Sequence, residues 1–123
     1  METQVLLYLI AQVISDKKGF NVVAFESKNP SAINDGVLIA EGYVDRHLTS
    51  IAFAIQKELE KKEIYLLKKE ESSQWVVLDY GQVMVHLFLP DARERYQLEK
   101  LWSNDKIIPL KIDNLSKDEE KYV

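Results

Sequence analysis

A chain of 123 residues, 46% hydrophobic and 29% charged, has the length and composition of one soluble domain with one hydrophobic core. It contains no cysteine, which excludes disulfides and thiolate zinc sites and agrees with a reducing cytoplasm, the compartment expected for it. Its net charge of -4, with basic residues interleaved among acidic ones, argues against direct sequence-specific nucleic-acid binding and favours a partner made of protein.

The N-terminal METQVLLYLIAQVIS follows no basic region, leads to no small-residue cleavage site and is interrupted by polar residues, so it reads as an amphipathic helix and not a signal peptide. Val5, Leu6, Leu9, Ile10, Val13 and Ile14 recur at helical spacing, and Lys17, Lys18 and Gly19 mark the end. No segment reaches the ~18 apolar residues of a membrane span, and no membrane association is expected. Residues 20–26 alternate weakly as a strand, followed by a breaker cluster at Lys28, Asn29, Pro30 and Ser31. The continuous apolar run at 36–40 suits a strand covered on both faces. Leu48, Ile51, Ala52, Ile55 and Leu59 then define a helix, with Asp45 as its expected cap and Lys61 and Lys62 suited to its C-terminal dipole.

Residues 64–67 are expected as a further strand, and the two strongest strands are 75–80 and 83–89. Only Gly81 and Gln82 separate them, which predicts a tight antiparallel hairpin. Pro90 suits the first turn of a helix that the spacing extends from 91 to 102. From Ser103 the pattern fades. The chain is therefore expected to form one domain over 1–105 with a polar tail over 106–123, and the interleaved elements predict an α/β fold with a mixed sheet of about five strands flanked by helices.

A two-residue hairpin loop sets Trp75 opposite Phe88, Val77 opposite His86 and Asp79 opposite Met84. One face then carries Val76, Leu78, Val83, Val85 and Leu87, with Tyr80 at the edge, an apolar set suited to packing under helices. The other carries Trp75, Val77, Asp79, Met84, His86 and Phe88, which makes a partly polar packed layer or a recognition surface. A three-residue turn would shift this pairing. Asp79 and His86 lie diagonally there, and a carboxylate orienting an imidazole is the one arrangement that suggests general-base chemistry. A structural hydrogen bond is the commoner role for such a pair.

Metal binding is not expected, since His47 and His86 are the only histidines and no HExxH or clustered carboxylates accompany them. The four scattered glycines form neither a dinucleotide fingerprint nor a phosphate loop, and no cofactor is expected. Arg93 and Arg95 read as solvated helix charges or partners of Asp91, Glu94 or Glu99. Trp75, Tyr80, Phe88, Tyr96 and Trp102 suit a core or protein interface better than a base-stacking platform.

The run WVVLDYGQVMVHLFLPDARERYQLEKLW resembles the signature segment of the ribosomal silencing factor, or iojap-like, family: W-hydrophobic-hydrophobic-L-D-aromatic-G, then V-H-hydrophobic-F, then R-x-x-Y-x-L-E-x-L-W. Upstream, Asp35, Gly42 and Asp45-Arg46-His47 resemble a second family region. Gly36, Tyr43, Val44 and Gln82 depart from the family pattern. The resemblance implies a nucleotidyltransferase-like fold lacking the paired metal-binding carboxylates. It implies a protein that binds ribosomal protein fourteen of the large subunit, covers the face where the small subunit joins, represses translation without catalysis, and is a homodimer when free. The partner-binding residues it suggests are Trp75, Asp79, His86, Phe88, Tyr96, Leu98 and Trp102. The competing reading, from fold analogy alone, is a small nucleotidyltransferase-like or hydrolytic enzyme using Asp79 and His86.

Overall fold

The computed structural model describes residues 1–27, 29, 31–102 and 105–110. Helix α1 (Thr3–Asp16) buries Leu6, Leu7, Ile10 and Ile14 on one side. It ends where Lys18 turns left-handed (φ 67°) and the Gly19 N–H donates back to the Ile14 carbonyl at 2.8 Å. A side chain at Gly19 would meet Ile14 Cγ2 at 2.4 Å, so only glycine allows this close return.

Strands β1 (Phe20–Glu26) and β2 (Gly36–Glu41) pair antiparallel, with a register shift between Phe20 and Val23. Of the loop expected at 28–31, Lys28 and Pro30 lie outside the described residues. Every residue of β2 is buried, as its unbroken apolar run requires of a central strand. Helix α2 (Asp45–Glu60) follows and lies beside α1. Its cap position is Val44 and not Asp45 as expected; Asp45 sits inside the first turn, where its carboxylate still complements the helix dipole and accepts from the Arg46 N–H at 2.8 Å. His47 ties the two helices together: its Nδ1 accepts from the Tyr43 N–H at 2.9 Å, which leaves Nε2–H to donate to the Lys17 carbonyl at 2.7 Å.

Residues 64–67 do not form the expected strand. Ile64 and Leu66 pack half-buried against the core from irregular chain, and the strand β3 is the charged Lys68–Glu71 beyond them. Four exposed charges suit this position, because β3 is an edge of the sheet and such side chains discourage pairing with another chain. The hairpin β4 (Trp75–Asp79) and β5 (Val83–Phe88) has the expected register, with Trp75 opposite Phe88, Val77 opposite His86 and Asp79 opposite Met84.

Helix α3 (Pro90–Tyr96) begins at Pro90, but the expected continuous helix to 102 breaks at Gln97, which is left-handed (φ 48°, ψ 45°). A separate 3-10 turn, Leu98–Trp102, follows. The expected tail also begins with structure, since Lys106–Ile108 forms β6 against Ala24–Glu26. Residues 111–123 of that tail lie outside the described residues.

The result is one mixed sheet of six strands in the order β3-β4-β5-β2-β1-β6, in which β2 and β5 run parallel and every other pairing is antiparallel. Helices α1 and α2 cover one face. Leu48, Ile51, Ile55 and Leu59 join the α1 side chains against Leu38, Val76, Leu78, Val83, Val85 and Leu87, which is the apolar hairpin face read from the alternation. Among the described residues, only α3 and the 3-10 turn pack on the other face, where Val77 and Met84 are half-exposed. No described helix is long and apolar enough to cross a membrane.

Candidate functional site

The second hairpin face is built on a small apolar layer of its own. Phe25, Val37, Ile39, Phe88 and Ala92 are buried there, and Val23, Trp75, Leu98 and Trp102 pack over them half-buried. The aromatic rings form a graded stack. Phe88 lies at the bottom with no exposed surface, Trp75 rests on it at 4.8 Å between ring centroids, and Tyr96 meets Trp75 at 5.3 Å while remaining 53% exposed. Trp102 closes the other side, 6.1 Å from Phe25 and 5.8 Å from His86. Such ring pairs hold one another in place, so the exposed rings are presented with little freedom to lose on binding. Arg95 adds to this by standing over the Tyr96 ring at 5.4 Å while its guanidinium donates to Gln74 at 2.7 Å.

His86 sits among these rings, 6% exposed. Its Nδ1 accepts from the Trp75 indole N–H at 3.2 Å, so the neutral ring carries its hydrogen on Nε2, a buried atom with no hydrogen-bond partner among the described residues. Burial pushes its pKa down to about 4, which keeps it uncharged at neutral pH. Asp79 has a different task. Its carboxylate accepts from the Gly81 N–H at 2.8 Å and closes the hairpin turn, where Gly81 takes the positive φ of 80° that glycine tolerates. No hydrogen bond joins Asp79 and His86, so the arrangement that motivated general-base chemistry does not form. No group of three His, Asp or Glu side chains among the described residues could hold a metal ion.

The segment after the hairpin is anchored by Arg93. Its Nε and Nη2 each donate to a carboxylate oxygen of Glu99 at 2.9 Å, and its Nη1 donates to Glu41 at 2.9 Å and to the Asn21 carbonyl. The hydrogen bond from Arg93 holds the Glu99 carboxyl below its ordinary pKa, against the opposing effect of burial. The Glu99 pairing was among those the sequence offered; Glu41 was not. A continuous helix would set positions 93 and 99 about 120° apart around its axis, and the break at Gln97 brings them together.

Of the seven residues suggested by the sequence, Tyr96 is exposed and Trp75, Leu98 and Trp102 are half-buried, while Phe88 and His86 are buried beneath them and Asp79 serves the turn. Sequence reasoning did not single out Val77 and Met84, although alternation placed both on this face, where they are half-exposed. It also passed over Leu101, which is 72% exposed on the 3-10 turn.

Residues 1–122 match the family model described as ribosomal silencing factor during starvation. The chain belongs to the ribosomal silencing factor family. It is 38% identical over 112 residues to the silencing factor of Halalkalibacterium halodurans, an alignment covering 89% of this chain and 96% of that one. A more distant relative is the mouse protein named mitochondrial assembly of ribosomal large subunit protein 1, 28% identical over 93 residues, or 68% of this chain and 41% of that one. A crystal structure from Chromobacterium violaceum is similar at a TM-score of 0.78 and 26% identity, covering 95% of this chain and 98% of the other. The expected mixed-sheet α/β fold and the silencing-factor membership thus both hold, with six strands in place of about five.

Proposed function

We propose that this silencing factor represses translation in the cytoplasm by docking its open sheet face on protein fourteen of the large ribosomal subunit, where its bulk blocks joining of the small subunit. The observation that carries this reading is the rigid aromatic patch itself. Trp75, Tyr96, Leu98 and Trp102, with Val77 and Met84 beside them, form an accessible apolar centre seated on buried Phe88 and His86. Exposed Glu94, Arg95 and Lys100 supply charge near its rim. An aromatic centre with a polar rim is the anatomy of a protein-binding surface, and steric blocking requires no catalytic group. Family membership and the large-subunit name of the mouse relative support the ribosome as the partner. In the free protein a second copy would cover the same face, giving the homodimer.

Sucrose-gradient sedimentation tests the proposal. Purified protein should comigrate with isolated large subunits and reduce the yield of joined ribosomes when small subunits are added. Migration at the top of the gradient with undiminished joining would overturn it.

A further inference from the structure

The patch does not explain why an arginine is buried beside it. The side chains of Arg93 and Glu41 are only 10% and 9% exposed. Buried ion pairs are often no more stabilising than apolar packing of the same volume, and their best-attested use is to fix one arrangement among several. Here the arrangement concerns the 3-10 turn. Gln97 is a left-handed hinge without glycine's freedom, and two backbone bonds end on it, Gln97 N–H to Arg93 O at 2.9 Å and Lys100 N–H to Gln97 O at 3.1 Å. Among the described residues, the side-chain tie across the hinge is the two-pronged Arg93–Glu99 pair. The same guanidinium reaches β2 through Glu41 and β1 through the Asn21 carbonyl. One side chain therefore references the turn directly to the sheet, and the planar fork of arginine is what permits it; a lysine ammonium cannot engage both oxygens of Glu99 and reach β1 and β2 in fixed geometry.

We infer that Arg93 is a positioning residue for the binding face: its Glu99 arm sets how the 3-10 turn presents Leu98 and Trp102 beside Tyr96, and its Glu41 arm anchors α3 to the sheet. The inference rests on the proposed ribosome-docking role for its consequence in affinity, but not for its geometry. Glu99 is the arm to cut, because it is the more exposed partner, at 39% of its side chain, and its removal leaves Arg93 paired with Glu41.

The test compares wild type, Glu99→Ala and Glu99→Gln, each labelled with 5-fluorotryptophan. The chain has two tryptophans and so gives two fluorine resonances, assigned with Trp75→Phe and Trp102→Phe. Glu99→Ala should shift or broaden the Trp102 resonance, leave that of Trp75 in place, keep a cooperative melt, and weaken large-subunit binding roughly tenfold. Glu99→Gln, which keeps one acceptor oxygen, should recover part of both effects. An unchanged Trp102 resonance overturns the inference, whether affinity is retained or lost, since loss alone would mean that Glu99 touches the partner directly. Loss of the cooperative melt overturns it as well, because the role would then be one of stability. If wild type itself does not bind large subunits, the docking proposal fails and the Trp102 resonance alone decides the positioning role.

Discussion

Lowering the pH from about 7.5 to about 5 should destabilise this protein through His86. In the folded chain, burial among Trp75, Phe88 and Trp102 lowers the imidazole pKa from 6.5 to about 4. Between those values the unfolded chain binds a proton that the folded chain does not, so stability rises with pH across this window. The contribution is complete above the unfolded value and is lost as pH falls from about 6.5 toward about 4. The full interval is worth about 3 kcal/mol, of which about 2 kcal/mol is gone by pH ~5. Once protonated, Nδ1 would also present a hydrogen to the Trp75 indole N–H that it accepts from. Urea unfolding followed by tryptophan fluorescence, on wild type and His86→Gln at both pH values, isolates this effect because every other titrating group is common to the two proteins. Wild type should lose about 2 kcal/mol more than the variant. Equal losses in both would refute the assignment of a buried, neutral His86.

Phe88→Ala should cost about 3–5 kcal/mol in chemical denaturation, since it empties a site with no exposed surface and removes the seat of Trp75. Gly81→Ala should cost about 1–2 kcal/mol by the same measurement, because the new methyl must adopt φ 80° and meet Leu67 Cδ1 at 3.0 Å. Lys18→Gly should instead raise the melting temperature by the equivalent of about 0.5–1 kcal/mol, relieving a left-handed residue at the end of α1 where glycine is the usual occupant.

These effects fall on features that were unequally legible in the sequence. The hairpin could be read to its register because two alternating strands flank a two-residue turn, and a slip by one residue would have turned Val76, Leu78 and Val85 away from α1 and α2. The break at Gln97 was hidden, since no glycine or proline announces it and Leu98, Leu101 and Trp102 continue a helical spacing through it. The edge strand β3 was hidden by its own function: Lys68–Glu71 carries charges because it guards an edge, and charges read as loop. Three-residue β6 is too short to show a period. The open face was legible as a set of residues, but its division into accessible rings and buried supports was not. That division depends on where α3 settles, and α3 is placed by Arg93 reaching Glu41, 52 positions away in the chain.

Tyr96 is the most exposed ring of the face proposed to dock on the large subunit, and so the one to remove with least expected cost to the fold. Gradient sedimentation of large subunits with wild type and with Tyr96→Ala, followed by addition of small subunits, tests that docking most directly. Wild type should comigrate and suppress joining, while Tyr96→Ala should remain folded and lose affinity by roughly tenfold or more. Failure of wild type to comigrate, or a Tyr96→Ala protein that blocks joining as well as wild type, would mean that this face does not dock on the large subunit.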